Sequence, residues 1–273
     1  MDRKFDWAGL MRRMPAVVLA VALVFCSCET AQRKPLPVQH TKTDENVLKV
    51  GVSPNTPPII FKQGVEVAGL EADLARGLAA HLGKEVRFIE IPWGELINRL
   101  QNKRIDIIMS GMSITQGRRY RFAFSDAYYK TGLLALFRSE DRRRFREGWE
   151  GSLLEEEYYL NIGVEKGTVA EKWVRDNLPK LRLVPYMNPA KSASDLQYGL
   201  IDIFIHDAPV IYMLAAENEA KGLIPSRTFL QEYAYAWGLR KDSPELISSA
   251  NAYIETIRKN GRLDALIKQW IPK

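Results

Sequence analysis

LQNKRIDIIMSGMSITQGRR, residues Leu100 to Arg119, is the stretch from which the fold can be read. Its opening returns 96 residues later as LQYGLIDIFIHD, Leu196 to Asp207. Both copies start Leu-Gln, pass three residues, read Ile-Asp-Ile and end in small polar or ionisable side chains. A short apolar run cut off by polar groups is the pattern of a buried parallel strand. Such a strand delivers its last side chains to the carboxyl edge of an open α/β sheet, where ligands bind. Two of them, one per half, predict two lobes facing each other across a ligand. Two unrelated core strands of chance similarity are the alternative.

The segments around this repeat alternate in kind. Val47 to Val52 reads as a strand, and Leu70, Leu74, Leu78 and Leu82 recur at helical spacing before Gly83. Val86 to Ile91 is strand-like, Trp93 to Gln101 helical, and Ile105 to Met109 a strand. This β-α-β-α-β order predicts a mostly parallel sheet with helices on its faces. After a charged interval at 138–157, the order repeats. Leu160 to Val164 is followed by a helix over Val169 to Asn177, and Leu181 to Tyr186 is strand-like. A helix at Ser194 to Tyr198, a strand at Ile201 to Ile205 and a helix at Pro209 to Ala220 complete the second series. Near the end, Ser243 is placed to cap a helix opening at Pro244, and Gly261 suits the position just past it. The closing helices have no partner strand except Ala234 to Leu239. The chain is therefore expected to return to its first lobe through two hinge crossovers, near 131–137 and 230–236. The lobes are expected at 47–133 plus 234–273 and at 134–233.

The first 27 residues read as a targeting segment. Arg3, Lys4, Arg12 and Arg13 precede an apolar run, Met14 to Phe25, that is too short for a bilayer span of about 20 residues. The run ends Phe25-Cys26-Ser27-Cys28. This resembles a bacterial lipoprotein signal, with small Ser27 before a Cys28 that becomes the lipidated first residue; an ordinary secretory signal is the other reading. Residues 28–46 then form a polar stretch with two prolines, read as a flexible tether. No cysteine follows Cys28, so the folded part has neither a disulfide nor a thiolate metal site.

The formal net charge is +6, and residues 1–27 carry four basic and two acidic side chains, leaving +4 on the rest. The Arg142-Arg143-Arg144 run is flanked by acids, and no nucleic-acid motif accompanies it, so a nucleic-acid partner is not expected. His40, His81 and His206 are scattered, and no metal or other cofactor is expected.

Six segments in order carry a family likeness: LKVGVSPNTPPIIF, GLEADLARGLAAHLG, IDIIMSGMSITQGRRYRFAFSDAYYKTG, IGVEKGT, IDIFIHD and WGLRKDSPEL. They resemble the bacterial extracellular solute-binding proteins of family 3, polar amino-acid-binding periplasmic proteins that serve ABC importers. The resemblance covers about residues 47–272, and the third segment is the specific one. It implies the type II periplasmic-binding-protein fold, an extracytoplasmic location, an ABC permease as partner, a small-molecule ligand and a monomer.

An α-amino acid presents a carboxylate and an ammonium on one carbon, so its site needs a bidentate cation and a fixed anion. Arg118 offers a planar fork for the carboxylate. Asp207, at the end of the second repeat, offers an anion for the ammonium. The resemblance puts the carboxylate on Arg118, Ser113 and Thr168, and the ammonium on Asp207 and the backbone carbonyl of Ser110. It makes Trp93 an aromatic wall, although a core tryptophan is also open at that position. For Asp207 a helix cap ahead of Pro209 is the bland alternative. Asp106, Asp202, Ser125 and Asp126 read as structural, and Glu71 as a replacement for a common Asp without consequence. His206 either touches ligand or packs.

The chain departs from many relatives where Thr56 stands for an aromatic and Ser53 for an acid. A basic ligand is therefore disfavoured, and the pocket is expected to be roomier or less polar on that side. Glu165, in place of a lysine of glutamine binders, disfavours glutamine. The main rival is an enzyme, a cyclohexadienyl dehydratase acting on prephenate or arogenate, with Glu165 or Glu171 as general acid. A sensing lobe that serves no importer is the second rival.

Overall fold

The computed structural model describes residues 46–145 and 160–271. The leader, Cys28 and the tether up to residue 45 lie outside the described residues, as does most of the charged interval.

The first half runs β1 (Val47–Val52), a small antiparallel sheet of β2 (Asn55–Thr56), β3 (Ile60–Gln63) and β4 (Glu66–Ala68), then α1 (Leu70–His81) and β5 (Glu85–Glu90). A 3₁₀ turn at Trp93–Glu95 leads into α2 (Leu96–Gln101), β6 (Ile107–Ile108), α3 (Gln116–Arg121) and β7 (Ala123–Phe124). The long β8 (Tyr129–Arg138) then opens a second series of β9 (Asn161–Glu165), α4 (Val169–Asn177), β10 (Arg182–Tyr186), α5 (Ser192–Gln197), β11 (Ile203–Asp207), α6 (Ala208–Glu217) and β12 (Leu223–Pro225). The chain closes with β13 (Gln231–Tyr235), β14 (Gly238–Leu239), α7 (Pro244–Lys259) and α8 (Arg262–Trp270).

Two lobes result, each around its own sheet. One sheet has the order β5-β1-β6-β14-β7, and the other β10-β9-β11-β8-β12, with β13 also paired to β8. In both, three parallel strands in the order second-first-third are followed by an antiparallel strand beside the third. The chain leaves the first sheet through β8 and returns from β13 to β14. These two crossover strands lie antiparallel, with Tyr129 opposite Tyr235 and Leu133 opposite Gln231.

The helix α1 shows how the pattern becomes packing. Leu70, Leu74 and Leu78 fall on one face and are fully buried against β1 and the two final helices. Each such leucine contributes roughly 1.5–3 kcal/mol of burial. Gly83 follows the helix at φ +66°, a conformation costly for any residue with a side chain.

The repeat has a local structural cause. Asp106 Oδ2 accepts from the Lys49 backbone N–H at 2.8 Å, and Asp202 Oδ2 from that of Asn161 at 2.9 Å. Each aspartate thus takes a donor from the first strand of its own lobe. A side-chain acceptor in place of the ladder at this point delays the start of the strand that follows. Both strands therefore begin two residues later than expected, at Ile107–Ile108 in place of Ile105–Met109 and at Ile203–Asp207 in place of Ile201–Ile205.

Other differences are small. The expected strand Ala234 to Leu239 is split into β13 and β14, and the β2–β4 sheet was not visible in the periodicity. Ser243 stands at the N-cap of α7, yet its hydroxyl donates to Asp242 instead of capping. Ser125 does anchor the crossover, accepting from the Trp237 backbone N–H at 2.9 Å.

Candidate ligand-binding site

The carboxyl ends of the parallel strands from both lobes converge on one cavity. Ser110 follows β6, Glu165 ends β9, and His206-Asp207 end β11, the crevice position expected of open α/β sheets. Thr56, Trp93, Ser110, Ser113, Arg118, Thr168 and Asp207 all line this cavity, so every binding residue read from the sequence is brought together. Ile59, Gly111, Glu165, Val169, His206 and Tyr235 line it as well.

Arg118 is placed by the loop before it. Thr115 caps α3 by accepting from the Arg118 backbone N–H at 3.2 Å. The guanidinium then folds back, donating from Nη1 to the Ser113 carbonyl at 2.9 Å and stacking 5.3 Å over the Trp93 ring. Burial lowers its pKa and the charge of Asp207 offsets this only in part, yet a guanidinium starts high enough to stay cationic. Trp93 therefore lines the cleft with one side while it packs against the core cluster around Leu96 and Phe122. Its Nε1 also reaches across to the other lobe and donates to the Gly167 carbonyl at 3.0 Å. A second bond between the lobes runs from Asn55 Nδ2 to the Met187 carbonyl at 3.3 Å.

Asp207 occupies the N-cap position of α6 but makes no side-chain cap bond, which removes the helix-cap reading. Its carboxylate instead accepts from the hydroxyls of Tyr233 and Tyr235. Both tyrosines stand on one face of β13, two residues apart, and burial together with Asp207 pushes their pKa values well up. They stay neutral donors. Each carboxylate oxygen keeps a further lone pair for another donor. Arg118 feels this anion across the cavity.

Thr168 caps α4, accepting from Glu171 N–H at 3.4 Å and donating to the Glu165 carbonyl at 2.7 Å. Its hydroxyl is thus committed locally. What it offers an anion is the backbone N–H array of the first helical turn. Likewise the Ser110 hydroxyl accepts from Ser53 N–H at 3.0 Å, and Ser53 does not line the cavity. Thr56 donates to Asn55 Oδ1 at 3.0 Å.

Sequence reasoning named no role for Tyr233 and Tyr235, although their alternation on a strand was a usable signal. It left His206 open. His206 Nε2 bonds Glu165 Oε2 at 2.8 Å, and Nδ1 accepts from the Asp207 backbone N–H at 2.8 Å. Burial lowers the ring's pKa, but the bond to Glu165 and the charges of Asp207 and Glu165 outweigh it and raise it. In the neutral ring the proton sits on Nε2, because Nδ1 is an acceptor. Glu171, the other acid considered for catalysis, does not line the cavity. Burial raises its pKa, but the bonds from Gly167 N–H and Arg175 and the charges of Arg175 and Lys166 together outweigh it and lower the value overall, so it is held as an anion.

The match to the model of bacterial extracellular solute-binding proteins, family 3, spans residues 48–273. The chain belongs to that family. Among curated relatives, the L-cystine-binding protein TcyJ of Escherichia coli (strain K12) is 27% identical over 231 residues, 83% of each chain. The ABC transporter arginine-binding protein 1 of the same strain is 26% identical, over 83% of this chain and 91% of its own. Among solved structures, an ancestral arginine-binding protein bound to arginine superposes with a TM-score of 0.75 at 26% identity, covering 83% of this chain and 99% of that one. The ancestral amino acid-binding protein AncCDT-1, a precursor of cyclohexadienyl dehydratase, gives 0.75 at 27% identity, covering 84% and 97%. These neighbours carry the type II periplasmic-binding-protein fold, and this family 3 chain shares it.

Proposed function

We propose that this protein is the substrate-binding component of an ABC-type amino-acid importer, closing its lobes on a small zwitterionic ligand. The observation that carries the reading is the pair of opposite charges on one cavity. Arg118 comes from the first lobe and Asp207 from the second, each held by neighbours and each with capacity left for a ligand. In this reading Arg118, Ser113 and the backbone at Thr168 take the carboxylate. Asp207 and the Ser110 carbonyl take the ammonium, and Trp93 and Thr56 form the walls. A ligand touched by both lobes favours the state in which they meet. The second lobe is the part between the paired crossover strands β8 and β13. Relatives that bind cystine and arginine support an amino acid as the ligand class.

The same reading makes Cys28 the point of lipid attachment, with the protein working as a monomer at the outer face of a membrane beside its permease. Among the described residues no helix is long and apolar enough to cross a membrane. A thermal-shift screen of the twenty L-amino acids with L-cystine, organic acids and small peptides tests the function. At least one α-amino acid is expected to raise the melting temperature. A response confined to compounds without an α-ammonium would refute the reading. Prephenate and arogenate are expected to come back from the same incubation unchanged.

A further inference from the structure

Glu71 is the second residue of α1 and is completely buried beneath the ligand loop. Its Oε1 accepts from the Gly111 backbone N–H at 2.8 Å and from the Tyr128 hydroxyl at 2.6 Å. Its Oε2 accepts from the Trp237 indole N–H at 3.0 Å. The three donors come from three functional pieces of chain. Gly111 lies in the loop that presents Ser110 and Ser113 to the cavity, and its φ of +66° suits glycine. Tyr128 immediately precedes the outgoing crossover β8, and Trp237 follows the returning crossover β13. The loop is already laced to the return strand, through Ile114 N–H to the Ala234 carbonyl and Ala236 N–H to the Met112 carbonyl.

A buried carboxylate is costly, and an apolar or amide side chain of similar size avoids the cost of removing the charge from water. The ionised form alone offers acceptors to all three donors without supplying a proton of its own. We propose that Glu71 is a positioning residue for ligand binding, its ionised carboxylate fixing the Gly111 loop to both crossover strands. The affinity arm of this inference rests on the binding function above; the loop geometry does not.

Protonation of Glu71 places a hydrogen where donors converge and loosens the Gly111 bond. Burial raises this carboxyl to about 7, against the lowering effect of Tyr128, Gly111 and Trp237. The titratable groups packed around it stay neutral near that pH. Tyr128 is pushed well up by burial and Glu71; Tyr235 beside it is pushed up likewise, and Tyr253, stacked on Trp237, is raised by burial. Asp73 on the same helix is held by Arg76 and Trp270. His206, whose pKa is raised by the bond to Glu165 and the charges of Asp207 and Glu165 against the opposing effect of burial, belongs to the second lobe.

The test is an NMR pH titration of the Gly111 amide and the Trp237 indole N–H between pH 5.5 and 8.5. In the parent protein both signals are expected to move together with one midpoint near 7. Glu71→Gln is expected to abolish that step, and Glu71→Asp to keep it. For affinity, the twenty L-amino acids and L-cystine are titrated into parent and variant at pH 8, with at least tenfold weaker binding expected for Glu71→Gln. Gly111 and Trp237 signals that are the same in parent and Glu71→Gln at pH 8 overturn the proposal, and so does unchanged Glu71→Gln affinity for a compound the parent binds. If none of these compounds binds the parent, the binding function fails, while the titration still decides the positioning role.

Discussion

Replacing Arg118 with alanine tests the site most directly. The side chain is only partly buried on a six-residue helix, so its loss should leave the fold standing. What disappears is the cation of the cavity, its fork and its 5.3 Å stack on Trp93. The ligand carboxylate then enters a crevice with no counter-charge, and Asp207 loses the opposite charge it faces. Stranding one partner of such a buried pair costs roughly 2–5 kcal/mol. At about 1.4 kcal/mol per decade this weakens binding from about 30-fold to about 5,000-fold. Arg118→Lys keeps the charge but cannot serve the Ser113 carbonyl and a carboxylate with one rigid fork, so its affinity should fall in between. Isothermal titration with the best amino acid of the screen provides the numbers, and circular dichroism checks the fold. An Arg118→Ala protein that binds within threefold of the parent would refute the assignment of this pole.

Trp93→Ala removes the wall, the guanidinium stack and the bond to Gly167, and should raise the dissociation rate about tenfold or more, measured by stopped-flow fluorescence; Trp93→Phe, which keeps a smaller wall and the stack but loses the bond, should fall between. The raised pKa of Glu71 also has a stability consequence. Its folded-state value lies above the ordinary 4.5, so its contribution is full below about pH 4.5 and is lost as pH rises through about 7. The amount is about 3 kcal/mol at most, and His206, also raised, has the same sign above its ordinary 6.5. Urea midpoints should therefore decline for the parent over this window and decline less for Glu71→Gln; parallel curves would contradict the sign. Finally, Cys28→Ser should move the protein from the membrane fraction to the soluble one, and unchanged partition would defeat the lipid anchor.

Much of this was legible because the relevant signals are local. The Ile-Asp-Ile repeat marks two strands with one structural role, and its first copy runs directly into the segment that carries Ser113 and Arg118. The misses have a common physical origin. Glu71 was read as inert because a surface acid and a buried one look alike in a line of letters. Its three partners lie 40, 57 and 166 residues away, and only the fold brings them to one carboxylate. Tyr233 and Tyr235 face Asp207 only because β13 pairs with β8 in the observed register. The segment near 131–137 was read as a crossover alone; that it is also the long core strand β8 was not read, because it is apolar through most of its length.

The two halves also differ where the proposed function requires it. Both deliver an Ile-Asp-Ile strand to the cleft, and both aspartates do the same backbone work at the strand's start. At the other end the copies part. The first finishes in Ser110-Gly111, neutral groups backed by the hidden Glu71, and places its cation one loop later at Arg118. The second finishes in His206-Asp207, an anion built into the strand end and steadied by two hydroxyls from the return crossover. A repeated frame alone would place like groups on both sides of the gap, and like groups cannot hold a zwitterion. Polarity across the cleft therefore arises at the strand tips, where one substitution alters a ligand contact without disturbing the sheet behind it. Exchanging residues at the tips should thus change ligand choice at small cost in stability. Exchanging Asp106 or Asp202 for alanine should do the reverse, lowering the unfolding midpoint while leaving the preference order among amino acids intact.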